Sequence, residues 1–418
     1  MPRDSLDSVA SRYVRLVLAM GAHDPDSVDA YYGPPEWKEQ VAAEPLSLER
    51  IRAAARELVG SVPADPPGSI ALSGTDEETL LRLRRHYLRR QLEALIARAD
   101  MLTGARLTFD QQAVALYDAA PPTHTDEELA AILQQLAQRV PGEGPLPARL
   151  ERFRDGFVIP PDRLDAVFRA AIDECRARTL AQFDLPPGES FRLEYVTDKS
   201  WSGYNWYQGN YQSLIQVNTD FPIYIDRAID LACHEGYPGH HVYNALLEKH
   251  LVRDRGWNEY SVYALFSPQS LIAEGTANFG IDVAFPAERR VEFEKNVLFP
   301  LAGLDPGRAA AYYDVLDLVS QLSYAGNEAA RRYINGAITA EQAARWLSEY
   351  ALYSPERASQ RVRFIDQYGA YVINYNLGKD LVRRHVESLG GTADDPARRW
   401  KVFEELLSSP RLPSTLAR

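Results

Sequence analysis

Cysteine is nearly absent from this chain, and so is any long apolar run. Two cysteines in 418 residues, Cys175 and Cys233, cannot build a disulfide framework, which suits a reducing, cytoplasmic setting. No stretch of about eighteen consecutive apolar residues occurs, so a membrane-spanning helix is excluded. The opening MPRDSLDSVASRYVRLVLAMGAHD has a short apolar patch, but Arg12 and Arg15 interrupt it. It reads as an amphipathic helix, not a signal peptide. Positive charge is also in deficit: 46 Lys and Arg against 58 Asp and Glu give a net charge of -12. A nucleic-acid partner needs a basic face, so that class of function falls away. The densest basic run, Arg82 to Arg90, lies in a helical pattern and reads as a salt-bridged surface face. A small peptide or other small molecule is the remaining kind of partner, and composition leaves the oligomeric state open.

What the chain does have is helical periodicity, with 45% hydrophobic residues to bury. Apolar spacings of three and four predict helices over Leu6–Met20, Ser47–Val59, Glu77–Thr103, Thr108–Tyr117, Thr125–Gln138 and Asp162–Phe183. Ser47, Thr75 and Thr125 stand where N-caps belong. Pro/Gly clusters punctuate these helices at Val62–Ser69, Ala120–Thr123 and Val140–Pro147. Residues 1–145 thus read as an N-terminal helical lobe, and 146–418 as a second region, together one two-lobed unit. Between Ser190 and Pro222, FRLEYV alternates in polarity and WSGYNWYQGNYQSLIQVNT is rich in aromatics, Gly and Asn. That pattern predicts a small antiparallel sheet or hairpin beside the following helix. Helices resume over Ile223–Lys249 with an interruption, Tyr260–Ala284, Arg308–Ile334, Thr339–Tyr350 and Ser354–Leu389. The expected fold class is mainly α with one small sheet.

The chemistry concentrates in CHEGYPGHHVYN, Cys233 to Asn244, where three of the eight histidines fall within eight residues. It begins like HExxH, the zinc-binding helix motif whose two histidines share a face at i and i+4. Here the spacings are six and seven. Six residues of regular helix turn the side chain by about 240°, and seven raise it by about 10.5 Å, so neither places two imidazoles on one metal. The helix cannot be regular, however. Pro238 lacks the N–H that would bond the His234 carbonyl, Tyr237 before it is pushed from helical dihedrals, and Gly239 accepts almost any geometry. GYPG therefore predicts a bulge that brings His240 to the place of the second histidine. Glu235 is then the general base for a metal-activated water. A catalytic zinc needs a third protein ligand. Glu274 in SLIAEGTANFG is the candidate, flanked by small residues that let helices approach closely, with Asn278 and Asp282 one and two turns on to orient the histidines.

HEGYPGHH followed by AEGTA resembles the HExxPGHH…EGWA pattern of a widespread bacterial family catalogued as domain of unknown function 885, related to the gluzincin metallopeptidases. The resemblance runs from about Leu193 to Lys379. It implies a gluzincin-like helical zinc-hydrolase fold with one Zn2+ held by His234, His240 and Glu274, His241 being the alternative to His240. If His240 is the ligand, His241 is left for substrate or for supporting contacts. Thr276 stands where the family has Trp, and Asn278–Phe279 where it often has a Leu–Tyr pair, so the pocket shape is expected to differ. The family's late Y-x-x-G-K element appears as Tyr375, Gly378 and Lys379. It suggests Tyr375, or Tyr371 one turn earlier, as the hydroxyl that stabilises an oxyanion. Arg361 and Arg363 are candidates for holding a substrate carboxylate. GNYQSLIQVNT is expected to be either an edge strand for peptide backbone, with Asn210, Tyr211 and Gln212 lining the cleft, or a structural hairpin that covers the active helix. The resulting expectation is a metallopeptidase of short peptides. The alternatives are a zinc enzyme acting on a non-peptide small molecule, or a non-catalytic metal-binding module.

Overall fold

The computed structural model describes residues 3–63, 74–199 and 201–416, so most of the Pro/Gly cluster at 62–69 lies outside the described residues. Apolar spacing becomes helix almost throughout, in α1 (Arg3–Gly21), α2 (Leu48–Ser61), α3 (Glu77–Leu102), α4 (Phe109–Tyr117) and α5 (Asp126–Arg139). Side-chain caps set several of the starts. Ser47 accepts the Arg50 N–H, while Thr108 with Gln111 and Thr125 with Glu128 close capping boxes. Helix α3 starts from Asp76, not Thr75, because the Asp76 carboxylate sits where it can accept the Thr79 N–H. The Val140–Pro147 cluster is only partly loop. A helix runs over Leu146–Asp155, with Pro147 in its first turn, where a missing N–H is harmless.

Of the helical spans expected farther on, the first breaks where an interruption is expected. Others break where none is, Arg308–Ile334 among them, which divides into Ala309–Gln321 and Ala325–Ile334. The span from Ile223 divides into α6 (Asp226–Leu231), a wide π turn over Ala232–Gly236, and α7 (His240–Leu247). The Tyr260–Ala284 span becomes helix only as α8 (Pro268–Ala284), since Ser267 is fully extended and Val262–Ala264 is strand. The Ser354–Leu389 span stops at Gly369, which takes φ +58, and so divides into α9 (Pro355–Tyr368) and α10 (Ile373–Ser388).

The strands are β1 (Val28–Tyr31), β2 (Ser190–Val196), β3 (Gly203–Gly209), β4 (Gln212–Asn218) and β5 (Val262–Ala264). The expected hairpin is present as antiparallel β3–β4, but β2 joins β4 in parallel, so the sheet is mixed, in the order β2-β4-β3. GNYQSLIQVNT accordingly contributes the central strand, and β2 and β3 are the edges. A second pair, antiparallel β1–β5, was not legible in the sequence; it ties the N-terminal helices to the segment before α8.

The main apolar core draws on Leu83, Tyr87, Phe109 and Leu116 together with Leu246, Leu271, Phe279 and Val382, so it crosses the boundary expected near residue 145. A second cluster joins α1, α2 and α3 to Val262 and Ala264. Between them Arg84 is fully buried. It bonds Glu259 through two nitrogens and reaches Asp7 at 2.6 Å. Among the described residues no helix is long and apolar enough to cross a membrane.

Candidate metal centre

The local backbone decides the site. Helix α6 leads into the π turn that carries His234 and Glu235, and the chain leaves helical dihedrals at Tyr237, with φ -115 and ψ 116. It passes the cis Tyr237–Pro238 bond and restarts as α7 at His240. The expected bulge is therefore a full break: one helix stops and a second starts folded back on its last turn. Gly239 makes this possible. A Cβ there would stand 2.0 Å from the His234 carbonyl oxygen and 2.3 Å from that of Cys233. The Gly239 N–H donates to the Cys233 carbonyl at 2.9 Å, and the Tyr237 N–H to that of Ala232 at 3.1 Å.

This fold-back sets His240 beside His234 against the middle of α8. The two Nε2 atoms lie 3.1 Å apart, and Glu274 Oε2 is 3.2 Å from His234 Nε2 and 3.8 Å from His240 Nε2. These three groups form a cluster able to hold a metal ion. Tetrahedral zinc with bonds near 2.0–2.1 Å separates its ligand atoms by about 3.3 Å, so the residues present fit that ion. Glu274 Oε2 is buried with no hydrogen-bond partner and aims at the same point. Burial alone would raise the Glu274 pKa, but the imidazoles of His234 and His240 beside it hold it well below the usual carboxylate range. Its other oxygen accepts the Tyr371 hydroxyl at 2.9 Å. Asn278 Oδ1 lies 3.2 Å from His234 Nδ1, while its amide donates to the Tyr375 carbonyl at 3.1 Å.

The adjacent histidine goes elsewhere. His241 is fully buried, with Nδ1 2.9 Å from Ser213 Oγ and Nε2 3.0 Å from Glu189 Oε2. Glu189 also accepts from Tyr237 at 2.5 Å and Arg176 at 2.7 Å. His241 is thus neither part of the three-residue cluster nor a substrate contact; it buttresses the broken helix against β4. Asp282 does not orient a histidine either, since it pairs with Lys379 at 2.8 Å. Tyr371 is committed to Glu274, which leaves Tyr375 as the hydroxyl facing the cleft. Burial, then the Glu274 charge, raises the Tyr375 pKa well above the ordinary value, so it stays a donor.

Other expected substrate contacts are displaced. Asn210 and Tyr211 form the β3–β4 turn at φ 54 and 61, and their N–H groups donate to Glu248 at 3.1 and 3.3 Å. The Gln212 amide donates to the Gly188 carbonyl at 2.7 Å, and none of the three lines the cleft. Arg361 does line it, whereas Arg363 is exposed on another face of α9. Thr276 donates to the Ile272 carbonyl of its own helix at 2.8 Å and is not among the residues that line the cleft. The small residues of α8 serve a different close approach from the one expected. A Cβ on Gly275 would meet the Gly378 backbone at 2.5 Å, so α8 and α10 cross glycine on glycine. Gly378, Lys379 and Tyr375 of the late motif therefore act together: packing, ion pair and cleft hydroxyl.

The cluster opens into a cleft of about 1870 Å³ walled by β3, α9, α10 and β1. Glu235 sits at its floor, its pKa pushed up to about 7 by burial. Asn205 of β3 donates to the Glu235 carbonyl at 2.7 Å. A Cβ on Gly203 would stand 3.0 Å from Glu235 Oε1, so β3 runs directly over this carboxylate. Cleft residues that had no signal in the sequence include Asp29 and its partner Tyr204. Asp29 comes from β1, far from the motif, and accepts the Tyr204 hydroxyl; burial pushes its pKa up to about 6.

No known family model matches the chain, and no curated protein matches it. Solved structures are similar in fold. A candidate lipoprotein from Colwellia psychrerythraea aligns at 15% identity over 92% of this chain and 72% of its own, with a TM-score of 0.51. A protein described as BsuCP aligns at 11% identity over 97% and 90%, TM-score 0.47. A candidate lipoprotein of unknown function from Shewanella oneidensis aligns at 15% over 91% and 75%, TM-score 0.49. At these identities the likeness to the Colwellia protein concerns the fold alone.

Proposed function

We propose that this protein is a zinc-dependent hydrolase that cleaves an amide bond of a short peptide. The observation that carries the reading is the convergence of His234 Nε2, His240 Nε2 and Glu274 Oε2 at 3.1, 3.2 and 3.8 Å, with the Glu235 carboxylate next to it in a deep cleft. Zinc held there supplies Lewis acidity toward a carbonyl and lowers the pKa of a water. Glu235 takes the proton of the attacking water and delivers it to the leaving amine. Tyr375 donates a hydrogen bond to the oxyanion that develops on the carbonyl oxygen. The free edge of β3 offers backbone groups along which an extended peptide can lie. Tyr371 and Asn278 hold Glu274 and His234 in place from behind.

The test begins with zinc-loaded protein and a panel of short peptides. Glu235→Gln is expected to keep one zinc per chain and lose about 10²–10⁴-fold in hydrolysis. His234→Ala, His240→Ala and Glu274→Ala are expected to lose zinc, while His241→Ala keeps it. Stoichiometric zinc with no cleavage of any peptide would overturn the reading.

A further inference from the structure

We propose that Arg357 and Arg361 of α9 form a subsite that takes a carboxylate of the substrate, so that the cleft selects small acidic molecules such as peptides with a free C-terminus. The inference rests on the hydrolase reading and deepens it. Four residues apart on one helix, the two side chains share a face about 6 Å apart along the axis, and both line the cleft.

The protein is acidic, and neighbouring cleft cations are neutralised. Arg227 pairs with Asp230 at 3.1 Å, Arg290 with Asp230 at 2.8 Å, and Lys379 with Asp282 at 2.8 Å. Among the described residues neither Arg357 nor Arg361 has a carboxylate partner. Rings hold them instead. Arg361 lies 4.6 Å from the Phe364 ring and 5.9 Å from that of Tyr375, and Arg357 5.3 Å from that of Phe221. Stacking fixes the planar guanidinium while leaving its N–H fork free, which is the geometry that grips a carboxylate bidentately. Arg361 Nε is buried and has no hydrogen-bond partner. Arg357 is mostly buried, and burial together with Arg154 and Arg227 lowers its pKa, so a bound anion relieves like-charge repulsion. Because Arg361 adjoins Tyr375, the bound carboxylate lies next to the reacting carbonyl.

The experiment is isothermal titration of zinc-loaded Glu235→Gln protein with acetyl-Ala-Phe, its C-terminal amide, and acetyl-Ala-Glu-amide. The acid is expected to bind at least about tenfold more tightly than the amide. Arg361→Gln or Arg357→Gln added to this background should erase that preference, Arg361→Lys should restore part of it, and Arg363→Gln should leave it unchanged. The glutamyl amide tells a side-chain carboxylate from a terminal one, and either advantage must vanish in Arg361→Gln. Equal affinity for all three probes, or no binding of any, overturns the subsite. Hydrolysis by the wild-type protein is read separately: a carboxylate preference in binding with no cleavage sinks the hydrolase reading and spares the subsite.

Discussion

His240 and His241 are joined by one peptide bond and point to different partners, because α7 begins there and successive residues of a helix are turned by about 100°. One imidazole reaches His234 and Glu274; the other is enclosed by Ser213 and Glu189. Tyr371 fixes one Glu274 oxygen at 2.9 Å and so aims the other at the histidines. Tyr371→Phe is expected to weaken zinc binding about 10–100-fold without unfolding the protein, as read by chelator competition. Unchanged affinity would mean that packing alone orients Glu274.

Helices α8 and α10 present a site that neither makes alone: α8 supplies Glu274 and Asn278, α10 supplies Tyr375. Their separation is set by Gly275 against Gly378 and fastened by the Lys379–Asp282 pair. A methyl at Gly275 has no flexible neighbour to push aside, only backbone. Gly275→Ala is therefore expected to cost about 1–3 kcal/mol in urea unfolding and to weaken zinc binding as the helices part. Loss of stability with unchanged zinc affinity would show that the crossing can widen without moving Glu274.

At the scale of the whole molecule, a titrating group in the core ties stability to pH. Burial, aided by Arg411, lowers the His385 pKa from 6.5 to about 4. Above pH 6.5 the imidazole is neutral in both states and contributes no pH dependence. Below it the unfolded chain takes a proton that the folded chain refuses, so stability falls until about pH 4, by up to about 3 kcal/mol. His385→Gln should flatten that decline, so urea midpoints at pH 7 and pH 4.5 should differ less in the variant. Equal declines in both proteins would place the acid sensitivity elsewhere.

The sequence by itself determined the helical character, most N-caps, the β3–β4 hairpin and the motif residues His234, Glu235, His240 and Glu274, because each depends on local spacing and backbone chemistry. Pro238 and Gly239 announced that the helix had to deviate. They did not say that it would stop and restart, which follows from how the Gly239 backbone meets the carbonyls of Cys233 and His234. Only the tertiary structure decided between His240 and His241, turned Tyr371 and Asp282 to other partners, made β4 central with β2 and β3 as the edges, and exposed Arg363. It alone brought in Asp29, Tyr204 and Arg357, whose roles depend on contacts between segments far apart in the chain. Periodicity records which face of a helix is apolar, but not which distant segment will cover the rest of it.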